Sequence, residues 1–81
     1  MTKEEIAAKV KSIAAKYLCE DENDIQLDAN IREEYGGDSL DIVQIVMDVE
    51  HAFSISISDE AADSINTVQD IVDEVKRHIL D

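Results

Sequence analysis

Apolar residues at Ile6, Val10, Ile13 and Tyr17 recur at i, i+4, i+7 and i+11, the stripe of a helix running from about Lys3 to Cys19. Thr2, with Glu5 three residues later, predicts a capping box at its start. The stretch "EDENDIQLDANIREEYGG" that follows is acidic and has no sustained helical period. It is predicted as a long loop. Ile25, Leu27 and Ile31 pin it to the core, because an unanchored loop of this length is costly to order. A second helix starts at Asp38 or Ser39 and ends near Ala52 or Phe53. "SISIS" alternates but is too short and isolated for a stable strand, so it is predicted as an extended linker with Ile55 or Ile57 turned inward. Ser58 caps a short third helix over about Asp59 to Asp63. Thr67 caps the last helix, whose buried face is Val68, Ile71, Val72, Val75 and Ile79. The predicted fold class is all-α, a small four-helix bundle with three longer helices, one short helix and a long loop between the first two. Residues 1–81 are expected to form a single domain.

Composition narrows what such a bundle can do. A chain of 81 residues buries only about 60% of its unfolded surface, so the core is thin and no large catalytic cleft fits inside it. Seven basic residues face 20 acidic ones, for a net charge of −13. Between Cys19 and Val75 there are 17 acids and one base, Arg32. That excludes phosphate-tracking nucleic-acid binding and argues against anionic membrane surfaces. It favours basic protein partners and fast, salt-sensitive encounter. Cys19 is the one cysteine, so no internal disulfide forms, and it is expected to pack as a small apolar residue at a helix end. No apolar run exceeds three residues and "MTKEEIAAKV" contains no apolar signal core. A soluble, monomeric protein is expected, located in the cytoplasm, or in an organelle matrix if a transit peptide was removed.

The second helix divides into three faces. At about 100° per residue, Ile42, Ile45, Val46, Val49 and Phe53 cluster as the core face. Asp41, Gln44, Asp48 and His51 fall on the opposite side. Leu40, Val43 and Met47 form a second apolar stripe between them, bordered by Ser39 and Glu50. That stripe is either a widened core face or an exposed docking surface rimmed by acids. Ser39 has no base within reach. His51 lies twelve residues along the same helix, about 18 Å away, so a nucleophilic enzyme site is not built here. Asp38 is as good a cap as Ser39, with Asp41 at the third helical position, which leaves the Ser39 hydroxyl free to project outward. Neither acidic register starting at Asp21 or Asp24 meets the ligand spacing of a calcium loop, so no metal site is expected.

The segment "GGDSLDIVQIVMDVEHAF" resembles the serine region of acyl carrier proteins. "ISDE" at residues 57–60 and "INTVQDIVDEV" at residues 65–75 fall where that family places them, as do Phe53 and the long loop, so the resemblance covers nearly the whole chain. It looks most like the free-standing carrier of dissociated fatty-acid synthesis. The resemblance implies that Ser39 bears 4′-phosphopantetheine in phosphodiester linkage, attached from coenzyme A by a phosphopantetheinyl transferase, with acyl groups held as thioesters. It implies that Asp38 helps position magnesium in the transferase complex. Gly36 and Gly37 are expected to let that enzyme reach the chain ahead of the helix. Acyl-transfer and chain-elongation enzymes with basic patches are the implied partners, docking on Leu40, Asp41, Val43, Met47, Asp48 and Glu50. Val46, Phe53, Ile57, Val68 and Val72 are expected to line the acyl chain. Three positions depart from the family pattern: Gln44 and His51 replace common acids, and Ser58 replaces a common proline. Carriers of polyketide, aminoacyl or D-alanyl groups share the serine and the bundle. An unmodified acidic adaptor is the reading from another class.

Overall fold

The computed structural model describes residues 2–79. Its first helix, α1, spans Lys3–Leu18 and begins at a reciprocal cap. The Glu5 N–H donates to Thr2 Oγ1 and the Thr2 N–H to Glu5 Oε1, each at 3.1 Å. Ile6 and Val10 are fully buried, as the stripe predicts. Ile13 and Tyr17 are only half-buried, and Ala14, Ala15 and Leu18 take the inner positions of the last turns. Cys19 corrects its expectation. The chain leaves α1 through it in the left-handed conformation, φ 57°, and its side chain is exposed rather than packed.

The segment predicted as a bare loop is ordered by two elements of its own. A single 3-10 turn covers Glu22–Asp24, and a short helix, α2, covers Ile31–Tyr35. Asn30 Oδ1 accepts from the N–H groups of Arg32 and Glu33, at 2.9 and 3.0 Å, and so caps α2. Ile25 and Ile31 are buried and anchor the segment, with Leu27 half-buried. Backbone bonds complete the attachment: Ile31 N–H donates to Asn66 O at 2.9 Å and Gln69 N–H to Leu27 O at 2.7 Å. The fold is all-α, with five helices rather than four among the described residues.

Helix α3 spans Ser39–Phe53, α4 spans Asp59–Asp63 and α5 spans Val68–Ile79. Ser58 Oγ caps α4 by accepting from Ala61 N–H at 3.1 Å, so this entry is held although no proline is present. Thr67 and Asp70 cap α5 reciprocally, at 3.0 and 3.1 Å. Helix α1 packs on both α3 and α5. The shared core is aliphatic, built around Ile6, Val10, Ile45, Val49, Val68 and Ile71, and among the described residues no polar or charged side chain is buried in it. In the linker Ile57 is buried and Ile55 half-buried.

One polar clamp joins α1 to α3. Tyr17 Oη donates to Asp48 Oδ2 at 2.7 Å, and Lys16 Nζ lies 3.5 Å from the same oxygen. The phenol holds the Asp48 carboxyl below its usual value, and the carboxylate raises the Tyr17 phenol above its own. The depressed Asp48 contributes stability present above its unfolded pKa, about 3.9, and lost as pH falls through the folded value. The raised Tyr17 contributes stability present below about 10 and lost as pH rises through its folded value. A Tyr17→Phe protein is therefore expected to melt below the parent at neutral pH, with the difference closing in strong acid and again in strong base. Thermal melts across that range measure it. A constant gap at every pH would mean that the bond to the Asp48 carboxylate is not the source of the difference.

Candidate functional site

The head of α3 is set by four consecutive residues. Gly36 ends α2 with φ 68°, and its N–H bonds back to Ile31 O. The Gly37 N–H reaches the same carbonyl at 3.1 Å, a two-donor closure of a helix C-terminus. Gly37 is buried, and a Cβ there would stand 2.7 Å from Leu18 Cδ2 and 2.8 Å from Ile31 Cγ2. The paired glycines are thus explained by a helix stop and a tight backbone approach, not by an open hinge for an enzyme. This corrects the expectation drawn from sequence, which places no helix ahead of Gly36 for the glycines to end.

Asp38 then caps α3. Its Oδ1 accepts from Asp41 N–H at 3.0 Å, and its own N–H donates to Asp41 Oδ2 at 3.2 Å. Both carboxylates are engaged by backbone. Ser39, the first residue of α3, is not needed as a cap, and its side chain is exposed. Arg32, in the first turn of α2, donates from Nη2 to Ser39 Oγ at 3.1 Å. Sequence reasoning does not find this hydrogen bond. The available signal is that Arg32 is the one base in an acidic middle, but its approach depends on a helix without a readable period.

Leu40, Val43 and Met47 are 63%, 49% and 55% exposed, so the second apolar stripe faces solvent rather than widening the core. Gln44 and His51 are exposed beside it. The flanking acids differ from one another. Asp48 turns toward α1 and is held by Tyr17. Glu50 Oε2 accepts from the Ile57 N–H at 2.8 Å and fixes the linker after α3. Both are half-buried, so they have structural work besides any contact with partners. Val46, Phe53, Ile57, Val68 and Val72 are all buried and belong to the one core. Surface depressions lie elsewhere: between α1 and the 3-10 turn, near His51 and Ser54, and between α4 and α5.

An exposed serine heads a helix whose cap is supplied by its neighbour, beside a solvent-facing apolar stripe on an acidic bundle. That arrangement suits a carrier domain, in which a group is attached to the protein and presented to others. Residues 8–75 match the family described as the phosphopantetheine attachment site. The chain is 42% identical to an acyl carrier protein of Rubrobacter xylanophilus over 78 residues, 96% of each chain. It is 46% identical to that of Prochlorococcus marinus over 72 residues, covering 89% of this chain and 90% of the relative. A solved acyl carrier protein from Enterococcus faecalis superposes with a TM-score of 0.76 at 32% identity, covering 93% of this chain and 95% of that one. The chain belongs to the acyl carrier protein family. Its prosthetic group is phosphopantetheine, and it is a carrier protein. Among the described residues no helix is long and apolar enough to cross a membrane.

Proposed function

We propose that Ser39 is the attachment point and that the protein, as one domain over residues 1–81, carries acyl intermediates of fatty-acid synthesis in the cytoplasm without catalysing a reaction itself. The observation that carries this is the exposed Ser39 side chain at the head of α3, with the capping role taken by Asp38. The residues fit the group. A phosphodiester on Ser39 would project from the surface into the positive end of the α3 dipole, and Arg32 stands beside it. When bound, the 4′-phosphopantetheine arm supplies a terminal thiol for the acyl group. On loading, Ser39 Oγ forms the new bond to phosphorus and gives up its proton, and the phosphoanhydride of coenzyme A breaks to release the nucleotide. Asp38, whose Oδ1 accepts the cap bond from Asp41 N–H, would be the residue that helps hold magnesium in the transferase complex. Incubation with coenzyme A and a phosphopantetheinyl transferase tests the reading: the mass should rise by one arm, carried by the peptide containing Ser39. A modified peptide elsewhere would refute the site.

Docking is assigned to Leu40, Val43 and Met47, with Asp41, Asp48 and Glu50 steering a basic patch toward them. The apolar three are the ones to substitute, since Asp48 and Glu50 also hold the fold. A protein with all three changed to Ser should keep its helical circular dichroism and slow the transferase mainly through KM. Unchanged kinetics would remove this face from the reading.

The acyl chain is assigned to the core between α3 and α5, lined by Val46, Phe53, Ile57, Val68 and Val72. These side chains are buried in the shared core, so entry requires the helices to part. Among the described residues the core holds no buried polar side chain, so the helices can part without breaking buried polar side-chain bonds. A long-chain acyl form should melt higher than the unacylated form, because the chain binds the folded state alone. It should also shift the NMR signals of Val46, Ile57, Val68 and Val72. Shifts confined to the surroundings of Ser39 would place the chain outside.

A further inference from the structure

Arg32 is the one basic residue between Cys19 and Val75, in a stretch holding 17 acids. Such a residue would ordinarily be drawn into an ion pair, and acids adjoin it in sequence at Glu33 and Glu34. Among the described residues it makes none. The two carboxylates at the head of α3, Asp38 and Asp41, are occupied by backbone N–H groups. The guanidinium instead reaches Ser39 Oγ at 3.1 Å. Asn30 starts α2 and the Gly36–Gly37 closure ends it just ahead of α3, and from the first turn of α2 the Arg32 side chain reaches Ser39.

We propose that Arg32 is a positioning residue for the prosthetic group, pairing with its phosphodiester and biasing the root of the arm toward α2. This rests on attachment at Ser39. The chemistry is direct. Any phosphoryl group on Oγ places its anionic oxygens two bonds from the atom Arg32 already contacts. A guanidinium presents a planar fork of donors that matches a phosphate oxygen pair, which an ammonium does not. The surroundings also require a counter-charge. Asp38 and Asp41 are the nearest acids in sequence, and a phosphodiester adds a further negative charge to a chain already at −13. Arg32 is exposed, so the pair is solvated. It orients the arm without locking it, which leaves the arm free to swing into each partner enzyme.

The test uses holo-protein of confirmed mass, as parent, Arg32→Gln and Arg32→Lys. All three should fold alike, because the Arg32 side chain is exposed and its cap bond comes from its backbone. The phosphorus NMR signal of the parent should move as sodium chloride rises from about 20 mM to about 1 M, where the screening length falls to about 3 Å. In Arg32→Gln the signal should start near the parent's high-salt position and stay there. Arg32→Lys should respond weakly. With a nitroxide on the terminal thiol, broadening of the Glu33 and Glu34 amides should fall about two- to fivefold in Arg32→Gln, the population bias an exposed ion pair supports. Identical phosphorus signals and identical broadening in parent and Arg32→Gln would overturn the pairing while leaving attachment intact. Failure of the parent to gain the mass on Ser39 would overturn both.

Discussion

The Ser39→Ala protein is expected to stay folded and to gain no mass when incubated with coenzyme A and a phosphopantetheinyl transferase that loads the parent. The expected effect on loading is all or none, because the substitution removes the oxygen proposed to bond to phosphorus. The effect on stability is small for three reasons. The cap of α3 belongs to the Asp38–Asp41 pair, whose two bonds involve no atom of the Ser39 side chain. The side chain is exposed, so its truncation leaves no cavity. Alanine is also the better helix former inside the first turn. The substitution does remove the acceptor for Arg32 Nη2, but that hydrogen bond lies at the surface and water takes its place. Intact mass reads the loading and a thermal melt reads the fold. Loading that persists in folded Ser39→Ala would show that another hydroxyl carries the arm. Loss of folding would show that Ser39, not Asp38, starts the helix.

Gly37→Ala is expected to destabilise the protein by about 1–3 kcal/mol, the usual range for forcing an extra carbon into a packed core. In a domain of this size each kcal/mol lowers the melting temperature by roughly 4–8 °C. The new Cβ would meet Leu18 Cδ2 at 2.7 Å and Ile31 Cγ2 at 2.8 Å. Leu18 can turn its far methyl aside. Ile31 cannot yield as easily, because its Cγ2 is borne by a branched Cβ in a helix and the residue is fully buried. Relief must come from shifting the backbone at Gly37, two residues from Ser39 and its hydrogen bond with Arg32. Gly36 is the control. It has open space around it but a left-handed backbone, so Gly36→Ala should cost about 1–2 kcal/mol through strain alone. Equal stability of parent and Gly37→Ala in chemical denaturation would mean that the chain ahead of Ser39 is looser than the packing indicates.

Much of the bundle is legible because the signals are local and repeated. Helix α3 is marked by the paired acids of its cap and by a long apolar period, so a start at Asp38 or Ser39 and an end near Ala52 or Phe53 are readable, and the helix spans Ser39–Phe53. The short α4 is found from Ser58 alone, since a serine before two acids is a complete N-terminal signal. Helix α2 escapes the sequence for the opposite reason. It has five residues and one buried anchor, Ile31, too few for a period to show. Only its boundaries are readable, Asn30 before it and Gly36 after it, and a glycine pair ahead of an exposed serine reads as a hinge as readily as a helix stop.

The sequence by itself determined the class of fold, the second apolar stripe beside Ser39 and the division of labour between Asp38 and Ser39, because each depends on residues within one helical turn or one helix face. The tertiary structure alone decided that the stripe faces solvent and which acids are free. Asp48 and Asp41 lie on the same side of the helical wheel, yet Tyr17, 31 residues from Asp48, draws it into the α1–α3 junction while Asp41 stays at the cap. It also decided that Gly37 is a packing contact and that Arg32 reaches Ser39. Both depend on how the segment around α2 is tied into the bundle, in part through bonds from Ile31 to Asn66 and from Gln69 to Leu27 that attach it to α5 and the turn before it. Helical periodicity records which face of an element is buried. It does not record which neighbour meets that face, and in a small domain the neighbour decides whether a polar side chain binds a partner or holds the fold.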